Sequence, residues 1–315
     1  MTAAEKLPPP VHPGLAVRAA NTLNDADFGL LGAFILERTG IRLTASKRLS
    51  METGLRRRAR ALGLGGVEDY CRMIFDQRGL EAEAEQLIHL ATTNKTDFFR
   101  ERAHFDFLGT RILPEILASR PAGRTHRLKL WSAAASNGAE AYTAAMVLAE
   151  AAVRGPRFEF AVLGTDISAE MVAAAVRAVY PEAWTEPVPP ALRDRYLMRS
   201  RDAASDPLVR IVPELRRHVR FAKLNMIDAS YPIDRDVDVI LLRNVLIYFD
   251  PPTQKAVVQR LAAHLRPGGH LILGHTEAAI GSALGLKQSA TGVFRITGHD
   301  DPMNTETFNR ERSFR

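Results

Sequence analysis

After Arg124, short apolar runs rich in branched residues alternate with segments whose apolar residues recur at helical spacing. The predicted strands are 127–133, 158–165, 219–224, 237–243 and 269–274. The predicted helices between them are about 139–153, 168–178 and 252–265. This alternation implies a parallel sheet wrapped by helices, so we expect an α/β fold in this part of the chain.

Three local features refine this prediction. The last helix has a clear start and stop, because Asp250 can cap it, two prolines fit its first turn and "RPGG" ends it. Residues 180–218 break the alternation and predict an insertion that lies over the sheet. The final "LKQSATGVFRIT" predicts a hairpin that adds antiparallel strands.

The N-terminal part has a different pattern. Between Asp25 and about Gln86 apolar residues recur at helical spacing, interrupted by "TGI", "LGLGG" and "QRGLE", which predicts a bundle of roughly three to five helices. Residues 1–20 and 301–315 are expected to be tails, since the first is rich in proline and the second in charged and polar residues. The single cysteine, Cys71, has no sequence partner and is expected to pack in a helix.

Composition and charge limit the expected cellular location and the expected class of partner. No stretch approaches the roughly 18 apolar residues of a membrane helix and the first residues lack a signal-peptide core, so we expect a cytoplasmic protein without direct membrane insertion. The net charge of +6 is concentrated between Arg42 and Arg60, where seven basic residues accompany one acid, Glu52. Such a segment suits an acidic partner or is a solvated helix face. Nucleic acid is not the predicted partner, because no aromatic residues interleave the arginines.

The turn after the first predicted strand, "SAAASNGAE", constrains the ligand. Open parallel sheets bind ligands beyond the carboxyl ends of their strands. A diphosphate needs bare backbone amides and no nearby anion, whereas this turn has only Gly138 and is followed by Glu140. We therefore expect a neutral or cationic ligand. Glu140 has a second explanation, because the helix dipole favours acids in the first turn.

The second strand ends at Asp166, where an acid can accept hydrogen bonds from both hydroxyls of a ribose. Asp166 could instead cap the next helix, although Ser168 can fill that role. Glu140 and Asp166 together favour a nucleoside that lacks phosphate. S-adenosylmethionine, an adenosine joined to an amino acid through a sulfonium cation, meets that description.

Polar residues also follow the later strands. Asn225 closes the third strand and could meet the adenine or be a turn residue. Arg243, Asn244 and Tyr248 follow the fourth strand, which places polar groups at the ligand edge of the sheet. Tyr248 could alternatively belong to the core.

The stretch "TTNKTDFFRE" (92–101) joins the two parts of the chain. Its Thr93, Asn94, Thr96 and Arg100 could face the cleft, or the stretch is merely a capped helix start.

Together these stretches resemble the CheR family, the chemotaxis receptor methyltransferases that act on protein glutamate. The resemblance covers about residues 25 to 298, and "ERTGIRL" and "LRRRARALGL" resemble the family's helical N-terminal domain. The other matching stretches are "TTNKTDFFRE" (92–101), "WSAAASNGAEAYT" (131–143), "TDIS" (165–168), "FAKLNMID" (221–228), "RNVLIYFDPPTQ" (243–254) and "LRPGGHLILGHTE" (265–277).

The resemblance implies an α/β architecture of two domains. An all-helical N-terminal domain is placed at 21–95, and a Rossmann-like class I methyltransferase domain at 96–300, with a small inserted β-subdomain at about 180–218. It also implies a cofactor pocket, with Tyr248 beside the transferred methyl and Arg100 steering the substrate carboxylate. The implied cofactor-binding residues are Asn94, Thr96, Arg100, Glu140, Asp166, Asn225, Met226, Arg243 and Asn244.

The implied reaction moves a methyl group from S-adenosylmethionine to a glutamate carboxylate of a chemoreceptor and leaves S-adenosylhomocysteine. A glutamate is already ionised at neutral pH, so no general base is required. No metal site is predicted, since none of the nine histidines pairs at ligand spacing with another histidine or a cysteine. The family pattern has a second acid and a proline around its glutamate, whereas Ala139 and Ala141 flank Glu140, and Asp97 stands where a small or apolar residue is common.

The implied partners are the acidic cytoplasmic helices of chemoreceptors. We expect the basic segment to meet them through Arg56, Arg57, Arg58 and Arg60. In some family members the β-subdomain holds a receptor's C-terminal tether peptide. Two alternatives stay open at this point: a methyltransferase with another substrate, and a module that binds the cofactor or the receptors without chemistry.

Overall fold

The computed structural model describes residues 22–92, 95–119, 127–156, 158–200 and 207–296. These residues form two compact units. The smaller unit holds 22–38 and 42–92, and the larger holds 39–41 together with the described residues from 95 onward.

The smaller unit is helical. In the part of it that the structure describes, four α-helices follow one another: α1 (Asp25–Thr39), α2 (Arg48–Ala61), α3 (Val67–Phe75) and α4 (Ala84–Ala91). Their apolar faces meet in a core that includes Leu31, Leu55 and Ile74. Cys71 is buried in α3, as expected for a packing residue, and burial raises its pKa to about 12. The predicted helical bundle is confirmed.

The larger unit is built on a seven-stranded sheet. Its strands are β1 (Arg127–Ala133), β2 (Glu159–Asp166), β6 (Val219–Lys223), β7 (Val237–Leu242), β8 (Leu265–Leu273), β9 (Lys287–Ala290) and β10 (Val293–Arg295). They lie in the order β6-β2-β1-β7-β8-β10-β9. Neighbouring strands from β6 to β8 are parallel, and β10 and β9 add the predicted antiparallel hairpin.

Helices cover this sheet, as the alternation of the sequence predicts. The long ones are α7 (Ala139–Arg154), α8 (Ala169–Arg177) and α11 (Pro251–Ala262); the shorter ones are α5 (Arg102–Phe107), α6 (Leu113–Ala118), α9 (Pro190–Tyr196), α10 (Pro213–Arg216) and α12 (Ala278–Ala283). A π-helical turn at Leu108–Ile112 links α5 to α6 and was not predicted. Asp250 caps α11 by accepting a hydrogen bond from the Thr253 N–H at 2.9 Å, as expected.

The strand β8 begins earlier than predicted. It starts at Leu265, so "RPGG" lies inside the strand rather than ending α11, which stops at Ala262. The register with β7 shifts between Val237 and Val239, and Gly268 has a φ of 78°. A proline and a positive φ fit a strand only at an irregularity of this kind, and the helical period could not show it.

The segment after α8 forms a separate antiparallel sheet of three strands in the order β3-β5-β4. These strands are β3 (Val179–Pro181), β4 (Leu197–Arg199) and β5 (Leu208–Ile211). The Tyr180 hydroxyl is buried and donates a hydrogen bond of 2.8 Å to the Asn137 carbonyl in the turn after β1. This small sheet is therefore fixed to the edge of the large sheet at which the predicted ligand residues lie.

None of the helices in the described part of the chain is both long enough and apolar enough for a bilayer crossing.

Candidate functional site

Backbone amides of the turn between β1 and α7 donate hydrogen bonds to other groups of the protein. The Ala135 N–H donates to the Thr165 carbonyl at 2.7 Å, and the Ser136 N–H donates to the Asp166 carboxylate at 2.8 Å. The Gly138 N–H donates to the Ala135 carbonyl at 2.9 Å. A diphosphate would need such amides free. The structure thus supports the expectation that this turn binds a ligand without phosphate.

Gly138 allows this turn to lie close to its neighbours. Its φ is 89°, and an added Cβ would lie 2.9 Å from both the Ala175 Cβ and the Phe221 ring. The single glycine that the sequence retains here is required both by the backbone conformation and by the close approach of α8 and β6.

Glu140 is buried in the first turn of α7 and has two partners. Its carboxylate accepts a hydrogen bond from the Ser132 hydroxyl at 2.7 Å and another from the Arg243 guanidinium at 2.9 Å. The carboxyl ends of β1 and β7 are adjacent in the sheet, which brings these residues together. The negative charge of Glu140 was expected from the sequence to repel a phosphate. In the structure the positive charge of Arg243 balances that negative charge.

Arg243 also binds Glu101. Its Nη2 donates to a Glu101 carboxylate oxygen at 3.1 Å and to the Arg100 carbonyl, and its guanidinium lies over the Phe105 ring, 5.2 Å from the centroid. The Arg243 side chain is almost fully buried. We call Arg243, Glu101 and Glu140 the Arg243 cluster; with both carboxylates ionised it carries one net negative charge.

Glu101 was not singled out by the sequence analysis. It lies just before α5 with a φ of 53°, and it accepts hydrogen bonds from the Asn244 side chain and from the His275 N–H, both at 3.2 Å. Burial alone would raise the pKa of Glu101, but the charge of Arg243 and hydrogen bonds from Asn244, Arg243 and His275 outweigh burial and lower the pKa. Glu101 therefore stays ionised at neutral pH.

Asn244 is held by a second acid that the sequence analysis did not single out, Glu277. The Glu277 carboxylate accepts four backbone N–H bonds of 2.7–2.8 Å, from Asn244, Val245, Leu246 and Gly274. Burial raises the pKa of Glu277, and these hydrogen bonds oppose that rise. Asn244 adopts a φ of 59°, and Glu277 fixes the backbone turn that presents it.

Asp166 is buried at the end of β2 and receives two backbone amides. One carboxylate oxygen accepts from the Ser136 N–H at 2.8 Å and the other from the Ser168 N–H at 2.9 Å. The cap of α8 is Ser168, whose hydroxyl accepts from the Met171 N–H. Asp166 thus ends β2 at the carboxyl edge of the sheet, where a carboxylate can accept hydrogen bonds from the hydroxyls of a ribose.

Asn225 and Met226 follow β6. The Asn225 side-chain oxygen accepts a hydrogen bond from the Ile227 N–H at 3.2 Å, which matches its alternative explanation as a turn residue. The Met226 carbonyl accepts from the Tyr231 hydroxyl at 2.6 Å and from Arg260 at 2.8 Å, so the backbone here is firmly held. The Met226 side chain is buried in a hydrophobic cluster of the larger unit.

Tyr248 is not a core residue. It lies half-buried in a 3₁₀ turn, Leu246–Tyr248, and within the part of the chain that the structure describes its hydroxyl has no hydrogen-bond partner. Arg100 is also half-buried, and its guanidinium donates to the Lys95 carbonyl at 3.0 Å. Thr96 is half-buried, whereas Thr93 and Asn94 lie outside the described residues.

The four arginines of the basic segment have different environments. Arg57 and Arg60 are exposed on α2, and Arg56 pairs with Glu52 at 2.5 Å. Arg58 donates two hydrogen bonds, of 2.7 and 2.8 Å, to the buried Glu83. The receptor contact of all four arginines stays a prediction, and it is weakest for Arg58, because Glu83 balances the charge of Arg58 inside its own unit.

Two histidines meet beside the Arg243 cluster although the sequence separates them widely. The rings of His104 and His275 lie edge to face, with centroids 4.6 Å apart. Burial and the charge of Arg243 lower the pKa of His104 to about 4. Spacing along the chain could not reveal this pair, because α5 and the turn after β8 bring it together.

The residues at this sheet edge fit S-adenosylmethionine. The sheet order reverses between β1 and β7, which is where open α/β sheets bind ligands. Asp166 ends β2 at this edge, which is a position suited to a ribose, and the net negative charge of the Arg243 cluster suits a sulfonium. The turn amides, already bonded within the protein, do not favour a phosphate.

Comparison with known proteins gives the same assignment. Residues 94–292 match the family described as "CheR methyltransferase, SAM binding domain", and residues 26–92 match "CheR methyltransferase, all-alpha domain". A probable chemotaxis protein methyltransferase of Rhizobium etli is 36% identical over 78% of this chain and 89% of that protein. Chemotaxis protein methyltransferase 2 of Pseudomonas aeruginosa is 36% identical over 80% of this chain and 86% of that protein.

The Escherichia coli chemotaxis protein methyltransferase is 35% identical over 81% of this chain and 85% of that protein. The two family matches together cover nearly all of the helical unit and every strand of the large sheet except β10. The chain therefore belongs to the CheR methyltransferase family, and it is a methyltransferase whose α/β domain binds S-adenosylmethionine.

Proposed function

We propose that this protein transfers methyl groups from S-adenosylmethionine to glutamate side chains of chemoreceptors, forming glutamate methyl esters and S-adenosylhomocysteine, and so acts in chemotaxis adaptation. The names of its relatives support the chemotaxis assignment. The structural observation that carries the proposal is the meeting of Glu140, Asp166 and Arg243 at one edge of the sheet, at a turn with three amides already hydrogen-bonded within the protein.

We assign the cofactor to the predicted residues at this edge. Asp166 would receive the ribose hydroxyls, and Glu140 within the Arg243 cluster would face the amino-acid part and the sulfonium. When bound, the cofactor supplies an electrophilic methyl group. The remaining proposed contacts are Asn94, Thr96, Arg100, Asn225, Met226, Arg243 and Asn244.

Catalysis rests on positioning. A substrate glutamate is ionised at neutral pH, so the protein has to align the carboxylate and exclude water rather than remove a proton. The Tyr248 hydroxyl, which has no partner among the described residues, is available to hold the carboxylate in line. Arg100 supplies the charge that steers the carboxylate, after leaving the Lys95 carbonyl that it binds here.

The receptor surface is proposed to lie on α2. Arg57 and Arg60 are exposed and suit the acidic helices of a receptor methylation region. Arg56 adds to this surface only in part, since Glu52 balances its charge, and Arg58 adds least, because it binds Glu83.

The small sheet is the proposed docking place for a receptor's C-terminal tether peptide. A cavity of about 310 Å³ lies there, with charged lining side chains that include Glu182, Arg193 and Arg199. Trp184 is exposed beside them and offers an apolar contact. Fluorescence-monitored titration of receptor C-terminal peptides against the whole protein tests this part separately from turnover.

The test of the proposed function uses labelled cofactor and receptor-containing membranes from the source organism. We expect label on receptor-sized proteins that alkali releases as methanol, because a carboxyl methyl ester is base-labile. An Asp166→Ala variant should lose this labelling, and an exposed Glu159→Gln variant should keep it. Alkali-stable label, or label confined to other proteins, would assign a different substrate.

A further inference from the structure

Glu101, His104 and His275 place three potential metal ligands together in the larger unit. One ligand atom from each lies within 4.8 Å of the others. Glu101 and His104 flank the start of α5, and His275 follows β8. Two imidazoles and one carboxylate form a donor set that binds zinc and similar transition metals.

The two ring nitrogens of His104 each face an oxygen atom, but only one of them carries a hydrogen in the neutral ring. His104 Nε2 lies 3.1 Å from the Thr291 carbonyl, and because a carbonyl only accepts, Nε2 carries the hydrogen. His104 Nδ1 is buried and has no hydrogen-bond partner among the residues that the structure describes. It lies 3.4 Å from the Glu101 carboxylate, so in a neutral ring two acceptors face each other. A cation between them resolves this conflict.

One pair of the candidate ligands has the spacing of a metal site. Zinc bonds of about 2.0–2.1 Å in tetrahedral coordination place neighbouring ligand atoms roughly 3.4 Å apart, which is the observed separation of His104 Nδ1 and the Glu101 oxygen. A histidine that binds a metal through one nitrogen usually donates its other N–H to a carbonyl or carboxylate. The Thr291 carbonyl has this role here.

The surroundings hold His104 in place and leave an approach for an ion. Gly292 has a φ of 70°, and an added Cβ would lie 3.1 Å from His104 Nε2, so only glycine allows the hairpin turn to approach the ring. His275 is exposed and can rotate onto an ion that arrives from solvent. Arg243 opposes a second cation on Glu101, but the Arg243 cluster keeps one net negative charge.

We propose that Glu101, His104 and His275 form a binding site for a divalent transition metal ion, with zinc as the best fit to the nitrogen and oxygen ligands. Water completes the coordination. Because Arg243 and the ion use the same Glu101 oxygen, occupancy weakens the link from Glu101 to Arg243. The site shares Glu101 with the Arg243 cluster, but its test measures metal binding and does not depend on the proposed substrate.

The test is calorimetric titration of Zn²⁺ into the whole protein, free of any affinity tag and dialysed against chelator. We expect one saturable equivalent that is weakened roughly tenfold or more in His275→Ala, since second-shell changes alone already cost 10–100-fold. His89→Ala, which alters a half-buried histidine of the other unit, should leave this equivalent unchanged. His275 is exposed, so its variant should fold normally.

Cobalt gives an independent measurement. Co²⁺ bound by the wild type should show d–d absorption bands that His275→Ala and His104→Gln both lose. Wild-type protein without saturable Zn²⁺ binding, or a His275→Ala variant that binds as tightly as wild type, would overturn the proposal.

Discussion

The Arg243 guanidinium donates a hydrogen bond of 2.9 Å to the Glu140 carboxylate and so joins the residue after β7 to the first turn of α7, across 103 residues of sequence. The acid that the sequence analysis read as a free anion is thus half of a buried ion pair. Because Arg243 also binds Glu101, the proposed cofactor edge keeps one net negative charge instead of an isolated one.

Replacing Glu140 with glutamine tests that charge. Charge-assisted hydrogen bonds contribute about 1.5–3 kcal/mol, so we expect the Kd for S-adenosylmethionine to rise roughly tenfold or more in Glu140→Gln. Calorimetry measures this, with the exposed Glu159→Gln as the matched control. Unchanged affinity would mean that the helix dipole and Arg243, rather than the ligand, explain the acid at this position.

Glu277 should be a stability determinant. In Glu277→Gln one oxygen that accepts backbone N–H bonds becomes an NH₂ donor facing them, so we expect the free energy of unfolding to fall by about 2–4 kcal/mol. Urea denaturation measures the change. The exposed Glu214→Gln should change stability little, and equal effects of the two variants would contradict the role given to Glu277.

Gly138 should tolerate no Cβ. Gly138→Ala adds crowding at 2.9 Å against Ala175 and Phe221 to the cost of a positive φ. Gly285 has a similar φ of 77° but open space around it, so Gly285→Ala isolates the backbone cost. We expect Gly138→Ala to be the more destabilising by about 1–3 kcal/mol in thermal or urea unfolding. Equal losses would show that crowding contributes nothing.

The Arg58–Glu83 pair should make the helical unit sensitive to acid. Hydrogen bonds from Arg58, opposed by burial and aided by Tyr70, lower the pKa of Glu83 in the folded protein. A depressed pKa gives stability that is present above the unfolded pKa of about 4.3 and is lost as pH falls through the folded pKa.

The stability difference between wild type and Glu83→Gln should therefore shrink as the pH falls below about 4. Denaturation at a series of pH values follows this difference. Glu81→Gln, which breaks an exposed pair with Arg38, should show little difference at any pH. A Glu83→Gln effect that does not depend on pH would contradict the depressed pKa.

Charge reversal of Arg57 and Arg60 tests the receptor surface. Arg57→Glu with Arg60→Glu should slow receptor methylation several-fold at low salt and less at high salt, because screening weakens exposed charges. Reversing the exposed Arg220 and Lys255 is the matched control of equal charge. Rates that fall equally in both double variants would point to net charge rather than to this surface.

Local patterns predicted most of the fold. The bounds of β1 agree with the prediction, and those of α7 and β2 differ from it by one residue at most. These elements are predictable because helices and strands repeat their apolar residues at characteristic spacings. The start of β8 was missed, since a bulge with a proline and two glycines carries no such period.

The sequence by itself determined the α/β order, the helical N-terminal unit and the polar residues at the strand ends, because each of these depends on a local pattern of neighbouring residues. Only the tertiary structure decided which charges meet. It pairs Glu140 with Arg243 and Arg58 with Glu83, and it packs the His104 ring against the His275 ring. Ion pairs and carboxylates that hold backbone amides, such as Glu277, join distant segments, and their energy depends on burial and distance that no local pattern records.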